Sequence, residues 1–370
     1  MILGPGAFTT TAVSHSLAGS ARALSTLVRP LPVPNPLTRD WTAPAGRFTT
    51  PRPVNVTGTA TVDLSAATIS GSSGYVFVVS ANGTHLTIVG GQLNGPVDGL
   101  VRDSLPDGSS ADVTIRGTAV HGARSLVYAP KVGGPISVTI DHVTATGLGD
   151  GVRATANGID VTASTLTGGG TPPSGYPAGI HSLDDSAGNV AVPASHINVS
   201  DSIITGFTTH GFQGDSIIGE TRVASALIEG NVLGHNTDSG GVDSKIAHAV
   251  VTHNTIYSDG DRALASHYGT LVSSGNTIYQ RARSASGARG KAYQGSGTLI
   301  ASDDIVTLDA GAYLAQAVVV LTPQSGPPAT YPRVGRLTLS HLTDGAGDVV
   351  LGPTTLSAIG GCVPGLVVVG

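Results

Sequence analysis

Cysteine, lysine, glutamate and aromatic residues are all scarce in this 370-residue sequence. The single cysteine, Cys362, cannot form a disulfide within the chain, and no group of Cys and His residues has the spacing of a zinc site. The fold is therefore expected to hold together without disulfides or structural zinc, and no cofactor is required. No apolar run reaches the roughly 18 residues that a membrane-spanning helix needs, so the sequence predicts no membrane span.

Charge is low as well. Asp, Glu, Lys and Arg make up 12% of the residues, and the formal net charge is −5. A negative balance without a basic cluster is not typical of nucleic-acid-binding proteins, so nucleic acid is not expected as a partner. The first charged residue is Arg22, so the start of the sequence lacks the basic residues of a secretory leader. Either a leader was removed before this numbering begins, or the protein uses none.

Glycine, in contrast, is abundant at 52 residues, and a short phrase repeats eight times along the chain. Each copy has apolar residues in alternation, then small or polar residues, then another apolar position. Successive copies are 27, 25, 21, 38, 29, 23 and 21 residues apart. The central residues of the copies are Ile88, Ile115, Ile140, Val161, Val199, Ile228, Val251 and Val272.

Alternation within each phrase predicts a strand, and the recurrence predicts strands stacked as successive coils that share one apolar core. Helical repeats are disfavoured, because the apolar period is 2 and β-branched residues, Thr, Ser and Gly dominate. We predict an all-β fold, a right-handed single-stranded parallel β-helix over about residues 54 to 310. In this architecture the chain resembles the pectin-lyase-like superfamily, although architecture alone does not fix function.

The two ends differ from the coils. Apolar residues three or four apart predict a short helix over residues 11 to 28, and four prolines then force an extended segment before residue 37. Residues 1 to 53 are therefore predicted to form a cap or a segment that attaches to a larger assembly. Residues 311 to 370 are predicted to form C-terminal coils or a cap, buried as a last coil or against a neighbouring subunit.

A column of polar residues is predicted from a recurring Gly–apolar–polar pattern. On four coils the apolar residue would point inward and the polar residue outward at one height. The predicted column consists of Arg153, His181, Gln213 and Asp243. Further along the same strands lie Asp215, Lys245 and His267. Tyr257 and Tyr279 follow adjacent phrases at matching points and would form a two-ring platform; together with Arg289 they complete the predicted substrate-binding set.

This column contains the groups that glycan cleavage needs. Hydrolysis would use Asp215 and Asp243 as a carboxylate pair on adjacent coils, one raising the pKa of the other. Elimination would instead use Lys245 or His267 as the base, with Arg153 neutralising a uronate. The alternative is an outward polar ladder that only keeps the solenoid soluble.

Two further patterns are weaker. Asn236-Thr237-Asp238 followed by Asp259-Gly260-Asp261 resembles the polygalacturonase family, which implies hydrolysis by these carboxylates. In this chain a glycine splits the expected Asp-Asp pair, and the family's following His-Gly and Arg-Ile-Lys strings are missing. A calcium site would draw oxygen ligands from Asp184, Asp185 and Asp215.

An asparagine recurs near one turn of successive coils. This pattern predicts a hydrogen-bonded ladder of Asn231, Asn254 and Asn276 that stabilises the bend, and not a binding site.

Three functions remain open at this point. The first is a phage tailspike or minor tail protein, in the virion, which binds and in an enzymatic form cleaves a bacterial surface polysaccharide. Such a protein would be a homotrimer and would contact other virion proteins through its N-terminal segment. The second is a free extracellular polysaccharide lyase or glycoside hydrolase. The third is a non-catalytic surface adhesion module.

Overall fold

The structure of the chain is a computed structural model. The structure describes residues 28–72, 74–130, 134–173, 176–183, 195–208, 214–220, 223–236, 239–260, 262–267, 269–281, 291–295, 298–308, 319–321, 336–340 and 368–369. These residues contain β-strands, turns and bends but no helix. The helix predicted over residues 11 to 28 lies almost wholly outside the described part of the chain.

The strands are short, and they follow one another along the chain in a regular order. Their bounds are β1 (Val28–Pro30), β2 (Trp41–Thr42), β3 (Gly46–Thr50), β4 (Val54–Val56), β5 (Thr59–Asp63), β6 (Ala67–Ser72), β7 (Tyr75–Val79), β8 (Thr84–Val89), β9 (Gln92–Asp103), β10 (Ala111–Arg116), β11 (Ala119–Ala129), β12 (Ile136–Asp141), β13 (Thr144–Leu148), β14 (Asp150–Ala154), β15 (Ala156–Thr162), β16 (Thr165–Gly168), β17 (Ala178–Ser182), β18 (His196–Ser200), β19 (Ile203–Thr205), β20 (Asp215–Gly219), β21 (Ser225–Glu229), β22 (Val232–Gly234), β23 (Ser239–Ser244), β24 (His248–Thr252), β25 (Thr255–Ser258), β26 (Arg262–Ser266), β27 (Thr270–Ser274), β28 (Thr277–Gln280), β29 (Lys291–Gly295), β30 (Thr298–Ser302), β31 (Ile305–Leu308), β32 (Val319–Leu321), β33 (Arg336–Ser340) and β34 (Val368–Val369).

All pairings between these strands are parallel, and the chain winds into a β-solenoid with three walls. Wall 1 is the 13-stranded sheet that runs from β2 through β5 and β8 to β34. Wall 2 contains β13, β16, β19, β22, β25, β28 and β31, and wall 3 contains β14, β17, β20, β23, β26, β29 and β32. The long strands β9 and β11 belong to walls 2 and 3 at once and join them into one sheet. The predicted all-β parallel solenoid is confirmed.

The inward ladder of wall 1 has the register predicted from the sequence over seven of the eight repeats. Ile88, Ile115, Ile140, Val161, Val199, Ile228 and Val251 stack in direct register and are buried. The eighth position was wrong, because Val251 pairs with Ser273 and not with Val272. Ser273 points into the core, where its hydroxyl donates to the buried carboxylate of Asp304 at 2.5 Å.

The asparagine ladder at the turn between walls 1 and 2 is confirmed. The side-chain oxygen of Asn254 accepts from the backbone and side-chain nitrogens of Asn231, and Asn276 does the same for Asn254. Asp304 continues the ladder by accepting both hydrogen bonds from Asn276, at 2.7 and 3.0 Å. Buried polar groups are stable only when paired, so this ladder fixes the turn at one height on successive coils.

Parallel pairing continues beyond both predicted boundaries of the coils. Upstream of residue 54, β1 pairs with β3 and β3 pairs with β6, so the coiled region reaches back to Val28. Downstream of residue 310, β32 extends wall 3, while β33 and β34 extend wall 1. The described parts of both end segments are therefore continuous with the solenoid.

Candidate functional site

The outward column predicted on wall 3 holds three of its four members. Arg153 pairs directly with His181, and Asp243 lies in the same column one coil further than Ile218, which pairs with His181. The prediction for the fourth position was wrong, because Ile218 occupies the height assigned to Gln213. Gln213 itself lies outside the described residues.

Close backbone approach explains the glycine before each polar residue. A Cβ on Gly151 would lie 2.1 Å from the carbonyl oxygen of Gly179, and one on Gly179 would lie 2.1 Å from Ile204 Cγ2. Any larger residue at these two positions would collide with the adjacent coil or the core. The glycine therefore sets the register in which Val152 points inward and Arg153 points outward.

Asp243 is the centre of a buried ion-pair cluster on wall 3. Arg262 Nη2 lies 3.0 Å from one carboxylate oxygen, and His267 Nε2 lies 2.8 Å from the other. Burial alone raises the pKa of Asp243, but His267, followed by Arg262 and Lys245, outweighs it and holds the pKa well below 3.8. Asp243 is therefore ionised at any pH near neutral and is a poor proton donor.

Glu220 joins this cluster, although the sequence analysis did not identify it. Its carboxylate accepts from Lys245 Nζ at 2.7 Å and lies 3.3 Å from His181 Nε2. Burial raises the pKa of Glu220, but His181 and Lys245 outweigh this and lower it from 4.5. The sequence did contain one indication of Glu220, because the chain has only two glutamates. Glu220 directly follows β20, and Lys245 directly follows β23 on the next coil.

The predicted Asp215–Asp243 pair is not formed. Asp215 pairs in register with Ser239, whereas Asp243 pairs with Ile218, so the two lie three positions apart along the strand and one coil apart. Three strand positions correspond to about 10 Å. Asp215 is buried and accepts from the Tyr176 hydroxyl at 2.6 Å. The expected mutual rise in pKa is also absent at Asp243, whose pKa is lowered.

Another buried carboxyl, that of Asp150, lies at the start of β14. Asp150 accepts from the backbone nitrogen of Ala178 at 3.1 Å, and its other oxygen lies 3.9 Å from Arg153 Nη1. Burial raises the pKa of Asp150 to about 7, with Arg153 and Ala178 opposing the rise. Burial also lowers the pKa of His181 from 6.5, so that its neutral form is favoured.

The aromatic platform predicted from Tyr257 and Tyr279 is present on wall 2. Their rings are stacked with centroids 5.1 Å apart and an interplanar angle of 13°. His235 extends the stack, with its ring centroid 4.5 Å from that of Tyr257. Arg281 lies over the Tyr257 ring at 5.8 Å, and Asp259 pairs with both His235 and Arg281. All five side chains are half-buried or exposed, so the stack faces solvent.

The string that resembles the polygalacturonase family is only partly described. Asn236 is buried, and its side chain binds the backbone nitrogen of Phe207 and the Ser216 hydroxyl, which is a structural role. Asp259 binds His235 and Arg281. Three other members of the string lie outside the described residues, namely Thr237, Asp238 and Asp261.

No group of three or more His, Cys, Asp or Glu side chains suited to a metal ion occurs within the described ranges. The calcium prediction depends on Asp184 and Asp185, which the structure does not describe, so it stays a prediction. Arg289, predicted to bind substrate, also lies outside the described part of the chain. Nor do those ranges contain a helix long and apolar enough to cross a membrane.

Two polar features of the solenoid are therefore candidates for function: the ion-pair cluster on wall 3 and the aromatic stack on wall 2. The chain was compared with protein-family models, curated proteins and solved structures. No family model, no curated protein and no solved structure matches it.

Proposed function

We propose that this protein binds a bacterial surface polysaccharide and that it does so as a tailspike or minor tail protein of a phage. The observation that carries the proposal is the solvent-facing stack of His235, Tyr257 and Tyr279. Sugar rings pack their apolar faces on aromatic side chains. Aromatic side chains repeated at the spacing of the coils therefore form an extended binding surface for a repeating polymer.

Hydrogen-bonding groups at the edge of the stack support this role. Arg281 and Asp259 hold each other beside the rings, at 3.5 Å, and each also contacts His235. Such a pair offers both donors and acceptors to sugar hydroxyls while remaining preorganised, which lowers the entropy cost of binding. The low overall charge of the chain suits a neutral or weakly charged glycan.

The virion setting is part of the same proposal. A parallel solenoid grows by adding coils and suits an elongated fibre, and its side faces allow copies to pack in parallel. We propose a homotrimer whose N-terminal segment contacts other virion proteins. A free secreted enzyme and a surface adhesion module are the competing assignments.

Cleavage is a second candidate, favoured by one observation. His267 is partly exposed and its Nε2 is held at 2.8 Å by the buried carboxylate of Asp243, the arrangement in which a carboxylate orients an imidazole base. In an elimination, His267 would take the proton from the carbon next to a uronate carboxylate. The bond from the sugar to the departing oxygen breaks, a double bond forms, and that oxygen takes a proton from water. Lys245, which lies in register with His267 on the preceding coil, would neutralise the uronate. Arg153 lies four coils from that position, about 19 Å along the axis, so its predicted role in the same elimination is not supported.

The test is a screen of the full chain against immobilised bacterial capsular and cell-wall polysaccharides, with ultraviolet absorbance and reducing ends measured in parallel. The proposal expects binding to a subset of these glycans. Failure to bind any surface glycan that is present on the host's envelope would overturn it. If new absorbance appears on binding, His267→Ala should abolish that absorbance and leave binding intact; loss of both together would instead assign His267 to binding.

A further inference from the structure

The upstream coils of wall 3 carry two stacked tyrosines and an arginine that belong to neither candidate feature described above. The rings of Tyr75 and Tyr128 are stacked with centroids 6.1 Å apart and an interplanar angle of 16°. The Arg102 guanidinium lies over the Tyr75 ring, with Cζ 6.0 Å from the ring centroid. The negative face of an aromatic ring attracts a cation, so this contact helps to hold the guanidinium in place. We name Tyr75, Arg102 and Tyr128 the upstream site.

A glycine makes room for the Tyr75 ring between two coils. Tyr75 pairs in register with Gly99, and Gly99 pairs with Ser125 on the following coil. A Cβ on Gly99 would lie 2.4 Å from Tyr75 Cε1, so a side chain at this position would collide with the ring. The Tyr75 hydroxyl lies 3.2 Å from Ser125 Oγ, within hydrogen-bonding distance. The ring is therefore held in one position before any ligand binds, which lowers the entropy cost of binding.

Arg102 is exposed, and within the described ranges no carboxylate pairs with it. Its strand, β9, contains two acidic residues, and neither is placed to neutralise it. Asp98 is held by Arg124 Nη1 at 3.4 Å. Asp103 is buried and, as the next residue along the strand, faces the opposite side of the sheet. The guanidinium of Arg102 is therefore available to an anionic ligand, which it can bind through two parallel hydrogen bonds.

Tyr128 lies between two arginines on the outer face of wall 3. Arg102 pairs with Tyr128 in register, and Tyr128 pairs with Arg153 on the next coil. Because adjacent coils are about 4.8 Å apart, the two arginine backbones lie about 10 Å apart along the axis. Arg153 Nη1 donates to the Tyr176 carbonyl oxygen at 3.2 Å and lies 3.9 Å from the Asp150 carboxylate. Of the two cations that flank the half-buried Tyr128 ring, Arg102 is therefore the one open to a ligand.

The cations further downstream on wall 3 already have carboxylate partners. Lys245 Nζ lies 2.7 Å from Glu220, and Arg262 Nη2 lies 3.0 Å from Asp243. An anionic ligand at the ion-pair cluster would have to displace these carboxylates and would be repelled by them. The upstream site contains one cation and no carboxylate, so an anionic group is attracted there instead.

We propose that the upstream site binds an acidic sugar of a surface polysaccharide. The sugar ring packs on the exposed part of Tyr128, and its carboxylate or phosphate accepts hydrogen bonds from Arg102. The inference rests on the proposed function for the glycan, and it specifies that the glycan carries an anionic group. Tyr257 lies on another wall and five coils further along, about 24 Å, so the two sites contact different segments of the polymer.

The experiment is titration calorimetry of the full chain with alginate and polysialic acid, which carry carboxylates, and with phosphomannan, which carries phosphate. Dephosphorylated phosphomannan is the matched neutral probe. We expect at least one acidic probe to bind, and its binding to weaken as the salt concentration rises from about 50 mM to about 500 mM. The acidic probe that binds identifies the anion. Binding of no acidic probe, or equal binding of the neutral probe, would overturn the inference.

Substitution of the exposed arginine tests the site directly. Arg102→Gln removes the charge and should weaken binding of the acidic probe about tenfold or more. Arg116→Gln is the matched control, because Arg116 is an exposed arginine on wall 1, and it should leave binding unchanged. If Arg102→Gln unfolds at the same temperature as wild type and binds the acidic probe as tightly, the inference is overturned.

Failure of the upstream site can be distinguished from failure of the wall-2 site. The upstream site alone would be refuted if Tyr257→Ala with Tyr279→Ala abolishes binding of a glycan while Arg102→Gln binds every acidic probe normally. The wall-2 site alone would be refuted by the reverse pattern, in which only Arg102→Gln weakens binding.

Discussion

His267 Nε2 lies 2.8 Å from Asp243 Oδ1, while Arg262 Nη2 lies 3.0 Å from the second oxygen of the same buried carboxylate. One carboxylate thus holds an arginine and a histidine side chain against wall 3. The pKa of Asp243 is lowered in the folded protein, so its contribution to stability is present above pH 3.8 and is lost as the pH falls below that value.

Asp243→Asn should therefore destabilise the protein at pH 7 by about 3 to 5 kcal/mol, because it removes the carboxylate that pairs with the buried Arg262. The difference from wild type should shrink as the pH approaches 3. Urea unfolding at several pH values measures both effects. A constant difference across the range would contradict the lowered pKa.

Asp150→Asn should have the opposite pH dependence. Burial raises the pKa of Asp150 to about 7, so ionising this carboxyl lowers the stability of the folded protein. This loss of stability is absent below pH 3.8 and grows until the pH passes 7. The variant should gain stability relative to wild type across this window, by at most about 4 kcal/mol for a shift of this size. Urea midpoints at pH 4 and pH 8 give the comparison. A variant less stable than wild type at pH 8 would show that the Arg153 pairing outweighs burial.

The carboxylate oxygens of Asp304 should be essential to the stability of the core, because they accept hydrogen bonds from buried groups. Asn276, Ser273 and Tyr293 all donate to its carboxylate. Asp304→Ala leaves these buried donors unpaired and should cost about 3 to 5 kcal/mol. Asp304→Asn continues the asparagine ladder and should cost about 1 kcal/mol, since the Ser273 and Tyr293 hydroxyls can turn to accept. Equal losses in thermal or urea unfolding would argue against the ladder.

Alanine substitutions at two glycines with similar φ angles should separate the cost of backbone strain from the cost of steric overlap. Gly91 has a φ of 81° and Gly108 a φ of 75°. A Cβ on Gly91 would lie 2.5 Å from Leu64 Cβ, whereas one on Gly108 would have no atom within 4 Å. Gly108→Ala should cost only about 1 kcal/mol of backbone strain. Gly91→Ala should cost about 2 kcal/mol more from overpacking, and equal unfolding midpoints would contradict this contact.

The solenoid was predictable because its inward residues obey a simple alternation. Ile88, Ile115 and Ile140 stack as the apolar pattern requires. The pattern failed at Ser273, where an inward polar residue is satisfied by Asp304 from the next coil. Because this hydrogen bond joins residues 31 positions apart, it cannot be recognised from the local alternation of apolar residues. The predicted register was therefore wrong by one residue at this coil.

The polar column failed for a similar reason. The pattern used a glycine as its marker, and on the coil of β20 this position is Ser216, whose hydroxyl bonds the backbone of Ile204 and Gly240. The glycine pattern therefore pointed to Gly211 and predicted Gln213 in place of Ile218. Glu220 was missed because only the fold brings its carboxylate to Lys245 Nζ, at 2.7 Å.

The Tyr257–Tyr279 stack was predictable, because the two tyrosines follow adjacent repeats at the same number of residues. Residues at equal positions in adjacent repeats lie directly above each other in the solenoid.

The central claim is that the stack on wall 2 binds glycan, and the most direct test is titration calorimetry with a polysaccharide identified in the screen. Tyr257→Ala combined with Tyr279→Ala should weaken binding at least about tenfold, equivalent to about 1.4 kcal/mol. His85→Ala, an exposed substitution on wall 1, should leave binding unchanged. If the double tyrosine variant, with an unaltered fold, binds the glycan as tightly as wild type, the proposed site is wrong.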